Sequence, residues 1–259
     1  MDLIVDTNIL SYQFNGREKR NQDERLAISS ITANEFLVDE SDYYVIHPAK
    51  YLSHFSVAED SNFVVPKHFK DHKAARMRAF QTDQIVIDFN NQFAPYREFG
   101  NEAIAEIINK KHLNIYKMSI AYLPKKEQKN ILKRLKYIFE NDYYCYSLTR
   151  SAIDQALNLF SKFVSEHNCK ADIRNTINDL LILSTAIDRE KKFRSGDNLL
   201  NRFAAKYYQA PITVNKENDE LLIDFSQQPV ESKESRESKG YINKGWSYVL
   251  RNNQPSLDP

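Results

Sequence analysis

The chain has 259 residues, 42% of them hydrophobic, with 15 Tyr and 15 Phe, so it can bury a substantial core and is not a disordered polypeptide. Its formal net charge of +1 gives no global signal for nucleic acid, and its five glycines (16, 100, 196, 240, 245) cannot be assembled into a G-x-G-x-x-G turn or a P-loop. Two cysteines, Cys145 and Cys169, make neither a disulfide framework nor a zinc site.

No apolar run approaches the roughly 18 residues of a membrane span, and Met1-Asp2 lacks a basic leader. The reading is a soluble cytoplasmic protein with no membrane partner.

Leu3-Ile4-Val5 is an apolar run too short for anything but a buried strand, over about residues 2–6, and residues 8–14 predict a short helix after it. Residues 15–24 are polar and loop-like. Leu26 to Ser30 predicts a second short strand, and a helix starts near Thr32. A long middle region follows, with a small strand over 84–89 and helices over 101–123 and 125–140, where apolar residues recur at spacings of three and four. Then come a strand at 144–149, an amphipathic helix at 151–167, a strongly apolar helix at 177–190, a short strand at 193–195, a helix at 199–208 and a last strand at 212–214. Alternating strands and helices predict an α/β fold with a mainly parallel central sheet. Residues 226–259 read as a polar linker and a tail, whose anchors Tyr241, Trp246, Tyr248, Val249 and Leu250 dock on the core or on a partner.

Asp6 ends the first strand, where open α/β sheets place their ligands. A buried carboxylate there needs a cation or a hydrogen-bond partner. Glu35 and Asp179 read as first-turn residues of their helices, and Asp197 follows a short strand. All three therefore belong to strand ends or helix starts, which cluster at the same sheet edge. Thr32-x-x-Glu35 and Thr176-x-x-Asp179 also have the spacing of capping boxes, and Asp197-Asn198 that of a turn.

In this order the acids resemble the PIN domain nucleases (PilT N-terminus-like). The residues that carry the resemblance are Ile4-Val5-Asp6-Thr7-Asn8, Ile28 to Phe36 with Glu35, Asn178-Asp179 to Ala186, and Ser195-Gly196-Asp197-Asn198-Leu199-Leu200. The resemblance covers about residues 1–40 and 142–215. It implies a three-layer α/β/α domain over 1–225, with core segments 1–40 and 142–225 and an enlarged helical insertion at 41–141. It also implies a metal-dependent endoribonuclease, of the kind found as a toxin or a phage-defence effector, whose cleavage leaves a 3′-hydroxyl. The alternative is a PIN-like module that binds nucleic acid or a protein without cutting. A phosphotransferase with Asp6 as nucleophile fits less well, because the haloacid dehalogenase pattern places a second Asp where Asn8 stands.

On this resemblance Asp6, Glu35, Asp179 and Asp197 are catalytic metal ligands, with Thr7, Asn8 and Ser195 in support. A carboxylate-only set favours Mg²⁺ or Mn²⁺ over Zn²⁺. Such a cluster would not ionise cheaply without a cation. The partner is RNA, or structured or single-stranded DNA; a protein inhibitor and a homodimer stay open. Lys-rich stretches at 67–78 and 110–136 are candidate binding surfaces, with Lys110, Lys111, Lys125, Lys126, Lys133 and Arg134 in the second. Lys191, Lys192 and Arg194 flank the acids themselves.

Overall fold

The computed structural model describes residues 2–19, 25–40, 45–46, 82–121, 123–167, 173–208, 212–215, 220–227 and 245–251. The elements run in chain order β1 (Asp2–Val5), α1 (Thr7–Phe14), β2 (Arg25–Ser29), α2 (Ser30–Leu37), β3 (Asp39–Glu40), β4 (Val45–Ile46), β5 (Gln84–Asp88) and β6 (Tyr96–Phe99). Next come α3 (Asn101–Asn109), α4 (Leu113–Ser119), α5 (Lys125–Glu140), β7 (Tyr144–Tyr146), α6 (Arg150–Glu166), α7 (Ile173–Asp188), β8 (Lys192–Ser195) and α8 (Asn198–Tyr208). The last are β9 (Ile212–Asn215), β10 (Glu220–Asp224), a 3₁₀ turn at Phe225–Gln227, and β11 (Ser247–Arg251).

β1 is apolar from Leu3 to Val5 because it is covered on both faces. Successive side chains of a strand point to opposite sides, so Leu3 and Val5 enter one cluster while Ile4 enters another. Its neighbours β2 and β8 are both parallel to it, and β7 runs parallel beyond β2. β10 is antiparallel to β8, and β9 is antiparallel to β10, giving the order β7-β2-β1-β8-β10-β9. The fold is therefore α/β with a mixed, mostly parallel sheet. On one face α1 and α3–α5 bury Ile9, Leu10, Ile104, Ile107, Ile131 and Leu135. On the other, α6–α8 bury Ile153, Phe160, Leu181 and Phe203. α2 contributes Phe36 to the first cluster and Ile31 to the second. Among the described residues no helix is long and apolar enough to cross a membrane.

Within the segment expected as a helical insertion, 41–141, the described residues begin with β4, which pairs with β3, and with the β-hairpin β5–β6, which joins β11 in a separate three-stranded sheet. Its second part, α3–α5, supplies the helical layer of one face of the main sheet, because its apolar stripes need a sheet to cover. The helix expected over 101–123 breaks in two: Lys111 takes a left-handed conformation (φ 54°) between α3 and α4. The tail docks on its own chain. β11 pairs antiparallel with β5 from Ser247 opposite Asp88 to Arg251 opposite Gln84. Trp246, 6% exposed, packs edge-on against Phe89 and close to Phe93 and Phe160. The basic stretch 67–78, Cys169 and Tyr241 lie outside the described residues.

Candidate active site

Asp6 ends β1 and is the N-cap of α1. Its amide pairs with the carbonyl of Arg194 on β8, which keeps it in the sheet while its side chain is almost wholly buried. The carboxylate is not left bare. Oδ1 accepts the Thr7 amide at 2.6 Å, and Oδ2 accepts the buried Ser195 hydroxyl at 2.7 Å. Acceptance of backbone and hydroxyl donors offsets the cost of burying the charge.

Glu35 is held from two sides: Thr7 Oγ1 donates to Oε2 at 2.5 Å and Asn178 Nδ2 donates to Oε1 at 2.6 Å. Burial pushes its carboxyl above the usual glutamate range, the two hydrogen bonds oppose that shift, and the negative charge of Asp6 adds to it. Asp6 and Glu35 are thus close enough to repel. The capping-box reading of Glu35 fails, because Ser29 caps α2 by accepting the Thr32 amide at 3.0 Å. Glu35 stands on the second turn, not the first. The same holds for Asp179, which lies on the second turn of α7, while the hydroxyl of buried Thr176 meets no hydrogen-bond partner among the described residues.

Asp197 does act as a cap: its Oδ1 accepts the amides of Leu199 at 2.8 Å and Leu200 at 3.0 Å at the start of α8. Its own amide donates to Ser195 Oγ at 3.0 Å, so one hydroxyl ties Asp197 to Asp6. Asn201 Nδ2 holds the Ser195 carbonyl at 2.7 Å and steadies the turn. Asp179 and Asp197 line one cleft with Phe163, Thr176, Leu180, Leu199 and Leu200. Asn8 is exposed on the first turn of α1, across from Gly196.

Thr7 thus bridges Asp6 and Glu35, Ser195 bridges Asp6 and Asp197, Asp179 and Asp197 line one cleft, and Asn178 beside Asp179 holds Glu35. Among the described residues no three His, Cys, Asp or Glu side chains converge closely enough to enclose an ion. The donor chemistry still fits a hard divalent cation: carboxylate and hydroxyl oxygens alone, with an Asp6–Glu35 repulsion that a cation would offset.

The basic residues divide. Arg134 donates to the carbonyls of Phe36 at 3.1 Å and Val38 at 2.5 Å, closing the C-terminal end of α2. Arg194, 14% exposed, pairs with the buried Glu18 at 2.9 Å. Both, expected to face nucleic acid, are instead bound within the chain, because each lies between packed elements. Lys110 pairs with Glu106, Lys111 with Asp142, and Lys191 lies 3.9 Å from Asp2. Lys133 sits over the Phe14 ring, Lys192 is half-buried on β8, and Lys125 and Lys126 are exposed on the first turn of α5.

Sequence reasoning missed Tyr96, Glu98 and Arg174, and gave Asn178 no role. Glu98 is 4% exposed, ion-paired to Arg174 at 2.5 Å and hydrogen-bonded by Asn34 at 2.8 Å. No family model, curated protein or solved structure matches the chain.

Proposed function

We propose that the protein is a divalent-metal-dependent nuclease of PIN type that hydrolyses RNA phosphodiester bonds. The observation that supports it best is the pair at the carboxyl end of β1: a buried Asp6 and a neighbouring Glu35, both contacted by Thr7. Hydroxyl, amide and peptide donors hold the pair, and the Arg174 charge acts on Glu35 from farther away. Asp6, Glu35, Asp179 and Asp197 would hold Mg²⁺ or Mn²⁺, which supplies a water of lowered pKa and positive charge for the leaving oxygen.

The chain's own residues do the rest. Ser195 and the Thr7 amide fix the direction of the Asp6 carboxylate. Glu35, whose proton affinity burial raises, takes the proton of the attacking water as its oxygen bonds to phosphorus. The bond from phosphorus to the 3′-oxygen breaks, and that oxygen takes a proton from solvent water to leave as a hydroxyl. Exposed lysines of α5 attract the phosphate backbone. The role is that of a toxin or phage-defence effector acting on cellular RNA.

A second reading keeps the fold and drops the cleavage: a PIN-like module that binds nucleic acid or protein. Purified protein incubated with single-stranded RNA and Mn²⁺ separates the two. Cleavage that chelator stops and Asp6→Asn abolishes supports the nuclease; intact RNA that is nevertheless bound supports the module.

A further inference from the structure

Glu35 is not anchored locally. Its partner Asn178 is 3% exposed, and the Asn178 Oδ1 accepts the hydroxyl of Tyr96 at 2.8 Å. Tyr96 is 4% exposed on β6, and burial pushes its phenol well above the usual tyrosine range, so it keeps its proton and donates. Glu98, two residues on, faces the same way. Its Oε2 takes the Arg174 guanidinium at 2.5 Å and lies 3.4 Å from the Tyr96 hydroxyl; its Oε1 takes Asn34 Nδ2 at 2.8 Å. Arg174 also covers the Tyr96 ring at 5.0 Å and donates to the Arg97 carbonyl at 2.9 Å. Three distant segments, residues 34–35, 96–98 and 174–178, meet in one connected set of polar groups.

An asparagine amide can present either its oxygen or its NH₂ to a neighbour. Tyr96 as donor removes the choice: the oxygen faces Tyr96, and the NH₂ faces Glu35. Glu98 is buried, and Arg174, its side chain 37% exposed, closes over it from the surface, which fixes the face that Glu98 and Tyr96 share. From this geometry we infer that Tyr96, buttressed by the Glu98–Arg174 pair, is a positioning residue that sets the Asn178 amide and through it the Glu35 carboxylate. The β5–β6 hairpin is thus part of the active site although it lies in the segment that the resemblance leaves without a role. The inference rests on the nuclease reading for its kinetic consequence only.

The test is the order of the Asn178 side-chain amide, followed by ¹⁵N NMR in the full metal-free chain, in wild type and Tyr96→Phe. In the wild type the Asn178 amide is held by Tyr96 at its oxygen and by Glu35 at its NH₂, and its two amide protons give separate, protected resonances. Without the hydroxyl the amide is free to turn, and in Tyr96→Phe the two resonances lose protection and broaden together. Mn²⁺ affinity falls about tenfold in Tyr96→Phe, the scale of a missing supporting hydrogen bond behind a ligand. An Asn178 amide as ordered in Tyr96→Phe as in the wild type overturns the inference. Should Tyr96→Phe fail to fold, the wild type decides: a Tyr96 hydroxyl proton that donates to Asn178 is protected from solvent exchange, and one that exchanges freely overturns the inference. With RNA, Tyr96→Phe lowers kcat/KM about tenfold. RNA left uncut by the wild type would sink the nuclease reading and leave the amide to judge this one.

Discussion

Thr7 donates its hydroxyl to Glu35 Oε2 at 2.5 Å, and its amide donates to Asp6 Oδ1 at 2.6 Å. One residue at the first position of α1 therefore sets the directions of two acids that repel each other. Such an arrangement costs stability, and the cost has a definite pH dependence. Burial raises the Glu35 pKa in the folded chain, so as pH climbs the unfolded chain releases this proton before the folded one does. Between the ordinary glutamate range and the raised folded value, the native state binds more protons, and stability falls as pH rises. Glu35→Gln removes this penalty. In metal-free buffer its melting temperature at pH 7 should exceed that of the wild type by on the order of a few degrees, with no gain below the ordinary glutamate range. Calorimetry at the two pH values checks this; a variant no more stable than wild type at pH 7 contradicts it.

Cation binding should reverse that cost. With Mn²⁺ at about a hundredfold excess over its dissociation constant, mass action stabilises the fold by about 2.7 kcal/mol. Asp179→Asn should remove most of the rise in melting temperature, although Asp179 lies on α7, away from the Asp6–Glu35 pair. A full Mn²⁺ shift in that variant would place the ion at Asp6 and Glu35 alone.

The lysines and arginines of α5 should respond differently to mutation. Lys125, Lys126, Lys129, Lys133 and Lys136 are exposed. Reversing several of their charges should weaken RNA binding and flatten its salt dependence, by about 0.7 in log–log slope for each single-strand phosphate that the variant no longer neutralises. Titrations at several salt concentrations measure it; an unchanged slope removes α5 from the binding surface. Arg134→Ala should leave the slope alone and cost about 1–3 kcal/mol in urea unfolding, because it strips partners from the Phe36 and Val38 carbonyls.

Trp246 provides a handle on the docked tail. Its ring is buried among Phe89, Phe93 and Phe160, and its indole N–H donates to Gln92 Oε1 at 3.0 Å. Trp246→Ala should cost about 3–5 kcal/mol in equilibrium unfolding. A loss below about 1 kcal/mol would mean that this ring adds little to the fold.

Much of the architecture is legible in the sequence because it rests on local patterns. Helix α5 begins and ends where the spacing of Ile131, Leu135 and Ile138 places it, and β1 is evident from three apolar residues ending at an acid. Strand β6 is not. Tyr96-Arg97-Glu98-Phe99 reads as a polar connection, since nothing local says that Glu98 meets Arg174, 76 residues away. Strand β10 escapes for a similar reason: Glu220 to Asp224 is a short apolar run between polar segments, and its pairing with β8 is tertiary. Of the site, Asp6, Thr7 and Ser195 are readable from their place at strand ends, while Asn178 stands in a recognisable motif but its bond to Glu35 needs the fold. Glu35 and Asp179 read one turn too early, because Thr32 and Thr176 mimic caps that Ser29 supplies for α2 and that buried Thr176 does not form for α7.

The pairing of β11 with β5 has a consequence for synthesis as well as for the finished fold. The two strands are separated by roughly 160 residues, an unusually long loop to close before any reward is collected. A nascent polypeptide emerging from the ribosome exposes the outer edge of β5 until Ser247–Arg251 has been translated. The hairpin that bears Tyr96 thus stays unzipped on one side through most of elongation.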